Sequence, residues 1–98
     1  MKVIIVSGGF DPLHSGHIAY FKSAKELGDK LIVALNSDEW LINKKGKFFM
    51  PFEERKAVVE NLSCVDLVID FKDDELGSAI NALIKIKGMY PDDELIFA

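Results

Sequence analysis

The residue types best suited to chemistry are gathered near the start of the chain, in Gly8-Gly9-Phe10-Asp11-Pro12-Leu13-His14-Ser15-Gly16-His17. With a helix opening at Gly16, His17 lies in its first turn and His14 just before it. The free N–H groups and dipole at such a helix start favour an anion. Two imidazoles there can donate hydrogen bonds to a triphosphate, and they gain most where charge builds on the α-phosphate and the departing pyrophosphate. Gly8 and Gly9 remove side chains where phosphates would need close access to the backbone, while Pro12 keeps Asp11 extended and stiffens the turn. The Asp11 carboxylate suits a structural role as well as a functional one, and the Ser15 hydroxyl suits a structural one better. There is no Ser-His-Asp arrangement and no cysteine nucleophile in view, and the loop lacks the Lys-Ser/Thr ending of a P-loop, so no covalent intermediate is required.

These residues need a scaffold. Lys2–Val6 is a short, β-branched, unalternated run, as in a strand buried on both faces of a parallel sheet. Ile18, Phe21, Ala24 and Leu27 recur every three residues and predict a helix, with Gly28 at its C-terminal cap. Leu31–Leu35 reads as a second strand, and Asn36-Ser37-Asp38 caps a short helix through Trp40 and Leu41. Asn43–Met50 is polar and lysine-rich around Gly46 and predicts a loop. Pro51, Glu53 and Glu54 suit a helix first turn with Val58, Val59 and Leu62 as its apolar side. Val65–Phe71 predicts a third strand, Leu76, Ile80, Leu83 and Ile84 a further helix ending near Gly88, and Leu95–Ala98 a fourth strand. The order β-α-β-α-β-α-β predicts an α/β, Rossmann-like, doubly wound parallel sheet. A closing strand with no helix after it leaves one face partly uncovered, so the expectation is a single domain over residues 1–98 that lacks its C-terminal part.

Composition narrows the partners. A length of 98 residues with 49% hydrophobic content allows one domain with a modest core. Net charge is −4, divided as +2 over residues 1–50 and −6 over 51–98. An acidic chain is a poor match for nucleic acid, yet the island of Lys44, Lys45 and Lys47 can attract a small phosphorylated molecule. No stretch has the ~18 apolar residues of a membrane span, and the chain opens straight into a strand without a signal-peptide pattern, so the expected location is the cytoplasm. Cys64 has no partner for an internal disulfide and reads as a small, partly buried side chain.

Gly9-Phe10-Asp11 followed by His14-Ser15-Gly16-His17 resembles the signature of the cytidylyltransferase-like nucleotidyltransferases, which transfer a nucleotide from a nucleoside triphosphate to a phosphorylated alcohol or sugar. "AKELGDKLIVALNSDEW" and "PFEERKAVVENLSCVDLVI" are similar to the helix and strand units that follow in glycerol-3-phosphate cytidylyltransferases and in the adenylyltransferase domain of heptose-phosphate enzymes. The resemblance implies that Gly9, Phe10, Ser15 and Gly16 line the nucleotide and that His14 and His17 act on the triphosphate. It also implies that Lys44 binds the acceptor phosphate and takes part in catalysis. The family's second lysine falls at Gly46, so either Lys45 or Lys47 takes its role or the contact is absent; Lys47 is the expected nucleotide contact. Arg55 matches a family helix arginine and is expected at the substrate, with a surface ion pair to Glu53 or Glu54 as the other reading. Ser63 stands where glycerol-phosphate enzymes carry arginine, Asp74 and Gly77 replace an aromatic and a lysine, and "VIDFKDD" resembles the heptose-phosphate group. The family's C-terminal Ile-Ser-Ser/Thr segment would lie beyond Ala98.

The resulting expectation is transfer of CMP from CTP to a phosphorylated alcohol or sugar, with Mg2+ carried by the nucleotide and no metal-binding residues on the protein. ATP-dependent adenylyl transfer to a sugar phosphate and a non-catalytic nucleotide-binding module are the alternatives. A homodimer is implied by the resemblance alone.

Overall fold

The computed structural model describes residues 1–98. Eight elements follow in order: β1 (Lys2–Gly8), α1 (Ser15–Lys25), β2 (Lys30–Leu35), α2 (Asp38–Lys45), α3 (Phe52–Glu60), β3 (Leu67–Ile69), α4 (Ile80–Met89) and β4 (Glu94–Phe97). The strands form one parallel sheet in the order β3-β2-β1-β4, with Ile5 opposite Ile32 on one side and Phe97 on the other. This is the α/β Rossmann-like architecture expected from the alternation of elements.

The unalternated runs are explained by helices on both faces. Ile4 and Val6 pack with Phe21 and Ala24 of α1 and Val59 of α3, while Val3 and Ile5 pack with Ala82 and Ile86 of α4. Successive strand residues point to opposite faces, so each face must be apolar when both are covered. The β1–β2 and β2–β3 crossovers thus lie on one face and the β3–β4 crossover on the other. Between β1 and β4 the winding reverses, and beyond the carboxyl ends of strands at such a reversal a crevice opens for ligands. The loop carrying the histidines leaves β1 at that point. No helix is long and apolar enough to cross a membrane.

Several local expectations are corrected. Gly28 is not a helix cap: α1 ends at Lys25 with Glu26 in right-handed conformation at the cap. A Cβ at Gly28 would lie 2.9 Å from the Lys2 carbonyl oxygen and 2.8 Å from Ile4 Cδ1, so the glycine permits a close approach to β1. Leu27 lies outside the helix and is exposed. Lys44 and Lys45 belong to the last turn of α2, where cations suit the helix dipole, and Gly46 (φ 85°) is its left-handed cap, donating to the Ile42 carbonyl at 2.8 Å. β3 has three residues in place of the expected Val65–Phe71. In α4 the buried positions are Ala82 and Ile86, whereas Ile80 and Ile84 are exposed and Leu76 lies in the preceding turn, 91% exposed. Apolar residues occur all round this helix, so periodicity alone does not select the stripe that meets the sheet.

Candidate functional site

From β1 the chain passes through a loop made of its own close contacts. Phe10 turns into a left-handed conformation (φ 49°), which buries its ring edge-on against Phe21 at 4.9 Å and His17 at 5.2 Å between centroids. A Cβ on Gly8 would meet that ring at 2.8 Å, and one on Gly9 would meet Leu41 Cδ2 at 2.5 Å. The glycine pair makes room for Phe10 and Leu41, a packing role that the sequence reading missed, while both glycines also line the cavity beside the histidines.

The Asp11 side chain is fully buried, and its two carboxylate oxygens accept from the amides of Phe49 (2.6 Å) and Met50 (2.8 Å). Lys45 Nζ donates to the Asp11 carbonyl at 2.6 Å. Asp11 thus fastens the segment after α2 to the loop after β1, a structural use of its charge.

His14 is the N-cap of α1. Its Nδ1 accepts from the Gly16 amide at 3.0 Å, and Nδ1 of His17 accepts from the His14 amide at 3.1 Å. This is a reciprocal capping box made of two imidazoles in place of the usual hydroxyl and carboxyl side chains. Each Nδ1 lone pair is engaged by an amide, so in the neutral rings the proton sits on Nε2, which remains a donor. The rings stack at 4.0 Å with 29° between planes. Gly16 permits this fold-back: a Cβ there would lie 2.8 Å from His14 Cε1. Ser15 is the first, exposed residue of α1, and no acidic residue in the first turn competes for an incoming anion.

Burial lowers the His17 pKa below the ordinary 6.5, and the neighbouring His14 lowers it further. The unfolded chain consequently takes up this proton at a higher pH than the folded one. His17 should contribute stability at neutral pH that is lost as pH falls from about 6.5 toward the folded value. Protonation at Nδ1 would also displace the His14 amide and open the cap. Urea midpoints measured from about pH 7.5 to about pH 5.5 should therefore fall on acidification, and His17→Gln should flatten the slope. An unchanged slope would show that His17 does not titrate differently on folding.

A cavity of ≈ 420 Å³ collects Gly9, Phe10, His14, His17 and Lys44 with Trp40 and Lys45. Lys47 does not line it; its Nζ sits 5.6 Å from the Phe49 ring centre in the following loop, so the second lysine at the cavity is Lys45. Arg55 corrects both sequence readings. Its side chain is fully buried beneath the loop, with Nη1 donating to the carbonyls of Gly9 (2.9 Å) and Asn36 (2.7 Å), Nε to Met50 (2.9 Å) and Nη2 to Asp38 (2.6 Å). It neither lines the cavity nor pairs with Glu53 or Glu54; it joins the loops that follow β1, β2 and α2. Nothing in the local sequence distinguishes it from a surface arginine.

Sequence reasoning also missed the position of Trp40, whose Nε1 donates to the Gly77 carbonyl at 3.0 Å while Lys44 Nζ sits 4.6 Å from its ring centre. No group of three His, Cys, Asp or Glu side chains converges as a metal site.

The sequence profile of the cytidylyltransferase-like family matches residues 5–96. Bifunctional protein HldE of Vibrio atlanticus (strain LGP32) is 42% identical over 92 residues, covering 89% of this chain and 19% of its own length. Bifunctional protein HldE of Helicobacter acinonychis (strain Sheeba) is 42% identical over 101 residues, covering 97% of this chain and 22% of its own. The chain thus spans about a fifth of the length of these curated relatives. Among solved structures, the lipopolysaccharide core biosynthesis protein from Thermoplasma volcanium GSS1 aligns with a TM-score of 0.74 at 25% identity, covering 99% of this chain and 93% of that one.

Proposed function

Because the chain belongs to the cytidylyltransferase-like family, we propose that it catalyses nucleotidyl transfer from a nucleoside triphosphate to the phosphate of a small acceptor, with His14 and His17 at the triphosphate. The observation that carries this reading is the imidazole capping box, which holds two Nε2–H donors at the start of α1. An acceptor phosphate oxygen attacks the α-phosphorus in line, the bond to the β-phosphate oxygen breaks, and pyrophosphate departs with the electron pair. The two Nε2–H groups, already oriented before substrate arrives, donate to phosphate oxygens as their charge rises. Mg2+ carried on the triphosphate supplies further charge neutralisation. Lys44 and Lys45 line the same cavity and bring positive charge to it.

The donor in this reading is ATP and the acceptor a sugar phosphate. "VIDFKDD" resembles the adenylyltransferase domain of heptose-phosphate enzymes, and likeness to the lipopolysaccharide core biosynthesis protein of Thermoplasma supports a saccharide acceptor. CTP is the second reading, favoured by the Asp38-Glu39-Trp40 match to cytidylyltransferases.

Pyrophosphate release measured with ATP or CTP and a panel of sugar and alcohol phosphates tests the proposal. Acceptor-dependent release with ATP supports it, release with CTP alone moves the assignment to the second reading, and nucleotide binding without release supports a non-catalytic module. Under turnover, Lys44→Ala should raise the acceptor KM by about tenfold or more and change the nucleotide KM less, as expected for loss of one charged contact to phosphate. Equal effects on both constants would remove Lys44 from the acceptor.

A further inference from the structure

Two cavities, each of ≈ 420 Å³, meet along one strip of α2: that of the histidines and another bordered by the turn after β3 share Trp40 and Lys44 and no other lining residue. The two residues are four apart, the spacing that sets side chains one above the other on a helix. Lys44 Nζ accordingly sits 4.6 Å from the centre of the Trp40 ring. We propose that Trp40 is a positioning residue, whose indole face fixes the Lys44 ammonium at the junction of the cavities and leaves its N–H donors open to a phosphate oxygen. The inference rests on the nucleotidyl-transfer reading and adds to it the residue that aims this lysine.

The two lysines of the histidine cavity are held in different ways. Lys45 Nζ donates to the Asp11 carbonyl at 2.6 Å and lies 3.7 Å from the Asp11 carboxylate, so a donor is used and part of its charge is offset. Lys44 belongs to none of the chain's ion pairs. An aromatic face attracts an ammonium through its quadrupole, which restrains the flexible lysine stem without taking up a hydrogen-bond donor or cancelling the charge. The nearby carboxylates of Asp73 and Asp74 are turned onto other partners: Asp73 Oδ2 accepts from the Ser37 hydroxyl at 2.6 Å, and Asp74 accepts from the Ser78 hydroxyl and from the amides of Leu76 (3.1 Å) and Ser78 (2.8 Å).

A ring can aim a lysine only if it is itself held, and Trp40 is held at both ends. Its amide donates to the Ser37 hydroxyl oxygen at 3.0 Å, and that hydroxyl is anchored in turn on Asp73. Its indole Nε1 donates to the Gly77 carbonyl at 3.0 Å. Gly77 is left-handed (φ 67°), and a Cβ there would come within 3.4 Å of Trp40 Nε1, so the turn rests directly on the ring. On its other side the ring approaches the loop after β1, where a Cβ on Gly9 would lie 3.5 Å from Trp40 Cζ3. Contacts on the strand-end loops thus fix the plane over which Lys44 sits.

NMR of isotope-labelled methyl groups placed on the lysine amines, a modification that keeps their charge, reads the contact without turnover. The Lys44 signal, identified by its loss in Lys44→Arg, should be moved upfield by the Trp40 ring current and should return to the position of exposed lysines in Trp40→Leu. Inorganic phosphate, titrated at constant ionic strength, should shift this signal saturably, and Trp40→Leu should need about three- to tenfold more of it. Trp40→Phe, with a weaker aromatic face, should need about two- to threefold more, and it replaces Trp40→Leu if the latter does not fold. In pyrophosphate-release assays on unmodified protein, Trp40→Leu should raise the acceptor KM about three- to tenfold and leave the nucleotide KM within about twofold. It should add nothing to the acceptor KM once Lys44 is alanine, a non-additivity that a general structural defect would not reproduce. An unshifted Lys44 signal in the parent, parental phosphate affinity in the folded Trp40 variant, or additive effects of Trp40 and Lys44 would overturn the inference. A shifted, phosphate-responsive signal with no pyrophosphate release from any donor and acceptor would remove the transfer reading and leave the Trp40–Lys44 contact standing; release with an acceptor KM indifferent to Trp40 would do the reverse.

Discussion

Replacing His17 by alanine should lower kcat by two decades or more, because one preorganised donor to developing charge is commonly worth ~3 kcal/mol in the transition state. The same substitution removes the acceptor for the His14 amide, so a loss of about 1 kcal/mol in stability should accompany it. The two effects can be separated. His17→Gln restores a side chain able to accept from the cap amide, as glutamine does in ordinary capping boxes, but it does not return an imidazole Nε2–H to the cavity. Stability should therefore recover in His17→Gln while the rate stays low. Stopped-flow pyrophosphate release and urea unfolding on the two variants provide the comparison. Near-normal kcat in folded His17→Ala would remove this histidine from the chemistry, and a joint recovery in His17→Gln would assign it to capping alone.

Arg55→Ala should be the most destabilising single substitution at the site. The guanidinium joins the carbonyls of Gly9, Asn36 and Met50 to the Asp38 carboxylate, so its loss strands three carbonyls and one half-paired charge around an unfilled space. Breaking a buried charged contact costs about 3–5 kcal/mol, a large share of the roughly 5–15 kcal/mol typical of a whole domain. Arg55→Lys should recover less than half of the loss, since one ammonium cannot serve four acceptors arranged around a planar fork. Urea midpoints followed by circular dichroism test both variants. If Arg55→Ala does not yield soluble protein, Arg55→Lys alone still decides the matter, because a variant within ~1 kcal/mol of the parent would show that the fork geometry is unnecessary.

The contrast between His17 and Arg55 shows where sequence reading works. The strands β1 and β2 are legible because burial on both faces leaves no room for polar residues, and the histidine loop is legible because its residue types share a short span. Arg55 is opaque because three of its four partners are backbone carbonyls, which every residue carries, and two of these lie 19 and 46 positions away. Gly28 and Gly46 trade meanings for a related reason. A glycine after a helix can end it or can let the chain pass close to a strand, and only the neighbouring Lys2 carbonyl and Ile4 side chain separate the cases. In α4, Ala82 rather than Ile80 meets the sheet, since apolar residues surround the helix and the choice belongs to packing. The cavity that Trp40 and Lys44 line together with Asp73, Asp74 and Glu75 is hidden because it joins α2 to a turn beyond β3, far along the chain.

The imidazole cap has a consequence for how such a protein can be improved. Serine, asparagine and aspartate are stronger N-caps than most residues, and natural sequences seldom occupy their stability optimum. Position 14 therefore offers an easy gain in thermal tolerance at the direct expense of a donor over the cavity. Laboratory selection for heat resistance alone would drift toward a tougher helix with an emptied rim, and a consensus drawn from ordinary helix starts would recommend the same error. On the proposed transfer reaction, selection for turnover would hold histidine at position 14 against the stronger caps, so the identity of this residue would separate variants kept for stability from variants kept for the reaction.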